Sequence, residues 1–403
     1  MQTRIFDKVM NTEIKIKNRT LKTVDLAFIV CLFVLAFFIR WQLMPIESAD
    51  YFGFLEGWMQ TIRENGGYVS LSMEISNYTS PYMYIMTFLS YISSNDLYAL
   101  KLVSVFFDYM AGIAVFLILL HMTENVRKSI LGMGILLLSP TVILDSAYWG
   151  QCDIIYTSFL LFSFYFFLKD KSRLSVIFFA LSFTFKLQSL FLLPFFIIMW
   201  LKGRTIKLRH FLWVPVIYII SALPAWAAGR SFKDLMLIYL NQSSYYPWGT
   251  LEYPNAYALL GEIMPDLHHA AEVSGAGTLM IIMMLGCIAY YLYTKKLKLT
   301  DELLVTLALF SVALIVYTLP HMHDRYGFLI DLFAVIYGAY NVKKLPVTCG
   351  FVLISILSFM PYLIAVHLVP IQYLAVGMLL LIIYVGYDLY GQIQRNTLPG
   401  EEA

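Results

Sequence analysis

Charge is what this sequence has least of. Of its 403 residues, 13% are Asp, Glu, Lys or Arg, against roughly 25% in a typical soluble domain. With 60% hydrophobic residues and a mean hydropathy of +0.72, that shortage excludes a soluble globular protein. Cysteine is scarce as well. Three of its four cysteines, Cys31, Cys287 and Cys349, sit in apolar runs, so no disulfide framework is expected. No internal repeat and no low-complexity segment is visible, which removes direct support for an inverted-repeat transporter. No small-residue cleavage site follows the first apolar run, so that run reads as an anchor behind a basic tail. Nothing is left over for a soluble catalytic domain, and any chemistry belongs to the membrane-embedded body or its loops.

What the chain does contain is a series of apolar runs, many near the ~20 residues that cross a bilayer as a helix. They fall at 24–44, 81–92, 98–121, 129–145, 153–168, 174–200, 211–228, 274–294, 303–320, 326–341, 347–366 and 370–391. The run 81–92 is short and rich in Tyr and Ser, and is read as an interfacial helix. The run 174–200 is too long for one helix and carries Lys186 and Gln188 at its middle. A lysine at mid-bilayer is costly, so the run divides into two helices meeting at Lys186. Cytoplasmic loops collect Lys and Arg, and these choices place 21 of the 28 basic residues on one side. The other seven are Arg40, Arg63, Lys101, Lys186, Arg230, Lys233 and Arg325. The expected fold is all-α: a polytopic membrane protein, one domain over 1–403, with twelve transmembrane helices and both termini cytoplasmic. Residues 1–23 form the cytoplasmic tail, and 45–97 and 229–273 are large outer loops.

Polar motifs concentrate on that outer side. Glu47-Ser-Ala-Asp50-Tyr51 follows the first helix. The pair of acids there can cap a helix through its dipole, or supply the ionised carboxylate that deprotonates an acceptor hydroxyl. Phe52 to Ile62 reads as an amphipathic helix lying on the membrane. Asn77-Tyr78-Thr79-Ser80-Pro81 leads into the interfacial run and is formally a glycosylation sequon. In the turn Tyr148-Trp149-Gly150-Gln151-Cys152-Asp153, glycine permits the turn. Trp149, Gln151 and Asp153 offer an aromatic face and hydrogen-bond groups suited to a sugar, or form an ordinary interfacial tryptophan turn. Lys186 either snorkels to water or meets a lipid phosphate as a point charge. His321-Met322-His323-Asp324-Arg325-Tyr326 is denser still. Its His-x-His pair reads as a metal site or, with Arg325, as a phosphate cradle, and no neighbouring ligands complete the metal set. Lys101 and Asp108 share one helix face and are expected to pair with neighbours inside the bundle, with Lys101 near enough to the surface to reach water.

In this order, Asp50, Asn77 to Tyr82, Lys101, Asp108, Trp149 to Asp153, Lys186-x-Gln188 and His321 to Tyr326 resemble the GT-C glycosyltransferases. More narrowly, the chain is similar to bacterial relatives of the second mannosyltransferase of GPI-anchor synthesis, over residues 45 to about 340. Asp324 stands where that group commonly has Glu. The resemblance implies a GT-C-like fold in a bacterial plasma membrane. It also implies an enzyme moving a hexose, such as mannose, from a polyprenyl-phosphate sugar to a hydroxyl of a glycan or glycolipid on the outer face. It carries the catalytic carboxylate to Asp50, and Glu47, three residues before it, is the alternative base. The phosphate would fall to His321, His323, Arg325 and Lys186. The sugar or acceptor would fall to Tyr51, Tyr78, Trp149, Gln151, Asp153 and Gln188. No cofactor is required by the sequence, a divalent metal is left open, and nucleic acid is not an expected partner. The competing class is a transporter or flippase of a lipid-linked sugar or other anion. A further enzyme class, an outer-face polysaccharide polymerase or ligase, would place its reactive groups mainly in a late large loop.

Overall fold

The computed structural model describes residues 11–16, 19–242, 248–263 and 271–398. Arg4, Lys8 and Lys17 of the basic tail, and parts of 229–273, lie outside the described residues. Apart from two short strand pairs, the described elements are helices. Seven of these are long and apolar enough to cross a membrane: Thr23–Leu43, Asp96–Thr123, Leu208–Ala227, Gly275–Thr294, Asp301–Thr318, Val342–Ile364 and Ile371–Asn396. The protein is therefore a multi-pass membrane protein. Val126–Leu137 and Pro140–Trp149, bent by 50°, make an eighth if taken as one span. Proline accounts for the bend, because its ring pushes the preceding Ser139 into extended backbone (φ −62°, ψ 125°).

Of the twelve expected spans, seven, or eight with the bent pair, are long enough to cross a membrane by themselves. Four of the segments are shorter apolar helices: Asp153–Leu168, Ser172–Phe185, Leu187–Leu201 and Phe328–Tyr340. The 16 residues of Asp153–Leu168 reach about 24 Å, less than the ~30 Å hydrocarbon core. Each of the four has one end at a turn carrying Asp153, Lys186 or Arg325. Shortening them sinks those turns into the bundle and makes room for a cleft. The long run does divide at Lys186, whose extended backbone (φ −147°, ψ 141°) separates the two helices. Ser80–Ile92 has only 13 residues and packs on Glu56–Glu64, which continues a π-helical turn over Tyr51–Leu55.

Asp301–Thr318 is 83% buried and forms the axis of the bundle, while Leu208–Ala227 and Gly275–Thr294, at 11% and 17%, stand at its rim. Lipid tails are as apolar as leucine, so such helices are held by close packing and interhelical hydrogen bonds. Ser163 donates to the Ser175 carbonyl at 2.7 Å, and Thr348 donates to that of Ala334 at 2.6 Å. A Cβ on Gly132 would lie 2.0 Å from Leu119 Cδ1 and 3.2 Å from the Ala339 methyl, so any larger residue would push the buried Leu119 side chain aside.

Two residues assigned to the outer side are wholly buried instead. Arg40 pairs with Asp108 at 2.6 Å, both fully enclosed, and also donates to the Leu137 carbonyl at 2.9 Å. Lys101 does not reach water. Its ammonium accommodates the carbonyls of Leu43, Met44 and Ile46 at 3.1, 3.3 and 2.5 Å. The last carbonyls of a helix have no partner within it and carry partial negative charge, so a buried cation there closes the first helix and sets the start of the loop that carries Asp50.

Candidate functional site

The first loop is positioned from below by Lys101 and from the side by Ser48, which donates to the Trp149 carbonyl at 2.6 Å. The turn it meets closes a π-helical stretch, Leu144–Trp149. Gly150 ends that stretch in the left-handed region (φ +77°), a conformation natural to glycine, and Gln151 N–H then returns to the Asp145 carbonyl at 2.9 Å. Ser104 fixes the far side of the turn by donating to the Gln151 carbonyl at 2.6 Å. The sequence therefore aims Trp149 and Gln151 at Asp50 through backbone contacts made by small hydroxyl residues.

Asp50 is the point where distant parts of the chain meet. Its Oδ2 accepts from Trp149 Nε1 at 2.9 Å, from Arg325 at 3.2 Å, and from Gln151 Nε2. Its Oδ1 accepts from the Tyr362 hydroxyl. Arg325 lies over the Trp149 ring at 4.6 Å, and Tyr362 stacks on the same ring with centroids 5.0 Å apart. Trp149 is thus both a hydrogen-bond donor to Asp50 and a surface on which two of its other partners, Arg325 and Tyr362, rest.

Arg325 belongs to a turn ordered by its neighbour. Asp324 Oδ1 accepts from Arg325 N–H at 2.8 Å and contacts His323 Nδ1 at 2.5 Å. Met322–His323 pairs in parallel with Thr250–Leu251, so the second large loop is stitched to this turn. Burial opposes the charge on Arg325, but Asp153, Asp324 and Asp50 overcome it and hold the guanidinium well above its ordinary value. Lys186 is likewise shifted upward despite its burial, chiefly by Asp153, with which it pairs at 2.8 Å. Both cations are fixed charges across the working pH range. Burial pushes the Cys152 thiol up to about 11, which keeps it neutral beside them.

These groups border a cleft of about 550 Å³. Of the residues singled out in the sequence, Asp50, Tyr78, Gln151, Lys186, Gln188, His323 and Arg325 line it. Trp149 and Asp153 are buried behind it, at 0% and 1% exposure, and act on it through Asp50 and Lys186. Three others are placed elsewhere. Glu47 and Tyr51 border a separate open pocket with Glu56, Arg63 and Asp96. Glu47 is exposed, because Asp50 turns into the bundle while residue 47 lies on the outer side of the bend. His321 has a left-handed backbone (φ +62°), and its Nδ1 contacts the Trp248 carbonyl at 2.8 Å. The two histidines therefore make separate contacts. Among the described residues no three His, Cys, Asp or Glu side chains are grouped to hold a metal.

Sequence reasoning did not identify Tyr362, Trp248 or Glu252, all of which border the cleft. Tyr362 lies near the end of an apolar run, where tyrosine is ordinary interfacial composition. Only the fold brings it to Asp50, across 312 positions of sequence. No family model matches the chain, and no curated protein is similar to it.

Proposed function

We propose that this protein is a glycosyltransferase that moves a hexose from a polyprenyl-phosphate sugar to a hydroxyl of a glycan or glycolipid, with a GT-C-like fold of twelve helical segments. In this reading the cleft opens on the outer face of a bacterial plasma membrane and both termini are cytoplasmic, as the distribution of Lys and Arg favours. The observation that carries it is the convergence on Asp50. One carboxylate, held by Trp149, Gln151, Arg325 and Tyr362, borders a cleft that also contains two permanent cations and several aromatic faces.

Direct displacement at an anomeric carbon needs a base for the incoming hydroxyl and stabilisation for the departing phosphate. Asp50 takes the acceptor proton. The acceptor oxygen bonds to the anomeric carbon as the bond from that carbon to the phosphate oxygen breaks, and the electron pair leaves with the phosphate. Arg325 and Lys186 meet the resulting charge, and His323 borders the same space. Arginine suits this role because its planar fork offers several N–H donors, so that one can stay on Asp50 while others reach phosphate. Trp58, Tyr78 and Trp248 provide faces on which sugars or isoprenoid units rest.

The test is transfer by the purified full chain in liposomes, supplied with radiolabelled polyprenyl-phosphate glucose, galactose and mannose and a mixed glycolipid acceptor. Label passing to the acceptor supports the reading. Label crossing the bilayer while still attached to its polyprenyl carrier would identify a flippase instead.

A further inference from the structure

The two oxygens of Asp50 are not equivalent. A carboxylate offers about four lone-pair directions, two on each oxygen. Among the described residues, Oδ2 receives three donors, from Trp149, Gln151 and Arg325, whereas Oδ1 receives only the Tyr362 hydroxyl. Oδ2 has no direction left for a fourth donor, and Oδ1 keeps one open. Tyr362 itself borders the cleft and is braced on Trp149, with the ring planes 24° apart. Phe359, one helical turn earlier, meets the edge of the same indole at 5.4 Å.

We infer that Asp50 Oδ1 is the atom that takes the acceptor proton, and that Tyr362 is the positioning residue that aims it. This rests on the reading of Asp50 as the base. Tyr362 donates to Oδ1 and fixes the rotation of the carboxyl, so that the open lone pair faces the incoming hydroxyl. As the proton arrives, the acceptor O–H bond breaks, a new O–H bond forms on Oδ1, and the tyrosine keeps its own proton. Three neutral donors (Trp149, Gln151, Tyr362) and one cation (Arg325) face the carboxyl, and Asp324 lies behind the cation at 3.7 Å. Arg325 therefore serves the phosphate side, and Tyr362 the proton side, of a single carboxylate. A positioning group acts on turnover and leaves binding of the donor lipid alone.

Tyr362→Phe removes one hydroxyl and keeps the ring on Trp149. The residue is 36% exposed, so the fold is expected to survive. Two quantities are measured on the reconstituted full chain: binding of a polyprenyl monophosphate, and transfer from the donors named above. The expected result is binding within twofold of wild type with transfer slowed about ten- to a hundredfold, the scale of a hydrogen bond to a charged group. Wild-type transfer by the variant would overturn the role of Tyr362 and leave the glycosyltransferase reading standing. Loss of lipid binding in step with transfer would make Tyr362 a donor contact and also overturn it. If the wild-type chain neither binds the lipid phosphate nor transfers a sugar, both readings fall.

Discussion

Two polar clusters lie at opposite ends of the central helix Asp301–Thr318, and they are built from nearly the same residue types. At the end near its start, Lys344 pairs with Glu302 at 2.9 Å and with Asp388 at 2.7 Å, and rests over the Tyr337 ring at 4.3 Å. Tyr337 and Gln392 donate to the same Asp388 oxygen at 2.7 and 2.9 Å. At the other end, roughly 27 Å away by helix rise over 18 residues, Asp50 is met by an arginine, a tyrosine, a glutamine and a tryptophan. The first cluster draws most of its members from the sides and first turns of helices, which pack around it and lock it. The second draws Gln151 and Arg325 from turns, Trp149 from the end of a bent segment and Tyr362 from the last turn of Val342–Ile364, and one side opens to a cleft. Nearly the same inventory is packed among helices in one place and borders a cleft in the other, and what differs is how many members come from turns.

The comparison predicts different kinds of damage. Lys344→Ala leaves two carboxylates facing each other without their cation. The side chain of Lys344 is 9% exposed and that of Glu302 31%, so the loss belongs at the lower end of the range for a broken buried pair. Stability should fall by about 3 kcal/mol, read as an earlier unfolding transition, with the transfer rate per folded molecule nearly unchanged. A clear loss of specific activity in folded Lys344→Ala would break the distinction between staple and site.

Arg325→Lys should show the opposite pattern. Lysine keeps the charge but not the fork that, in the proposed function, spans Asp50 and a phosphate, so transfer is expected to fall about tenfold or more with a modest change in stability. Full activity would mean that charge alone is needed there. Glu47→Gln is the smallest effect. That acid is exposed and borders the neighbouring pocket, so transfer should stay within about twofold of wild type. Inactivity in this variant would move the base out of the cleft.

The sequence made much of this legible. Hydropathy and the basic loops located the helical segments, and a lysine too costly for mid-bilayer marked the break at residue 186. Trp149, Gln151 and Arg325 stood out because polar groups crowd into short turns between apolar runs, and the structure brings them to Asp50. Helix lengths were less legible, since an apolar run does not disclose that its polar end is drawn below the bundle surface. Lys101 and Arg40 misled for a related reason. A cation at the edge of an apolar run reads as water-facing, whereas here Lys101 finds three carbonyls and Arg40 finds Asp108 inside. Tyr362 carried no local signal at all, because its role depends on a contact between the first loop and a late helix.

In the proposed function Asp50 is held for chemistry rather than for stability. The direct measurement is Asp50→Asn, assayed for sugar transfer and for thermal unfolding on the same reconstituted preparation. Asparagine keeps the shape of the side chain but cannot take up the acceptor proton. Transfer should fall about a hundredfold or more, with unfolding within a few degrees of wild type. Transfer that survives in a protein whose stability collapses would show that Asp50 is a second staple and not the base.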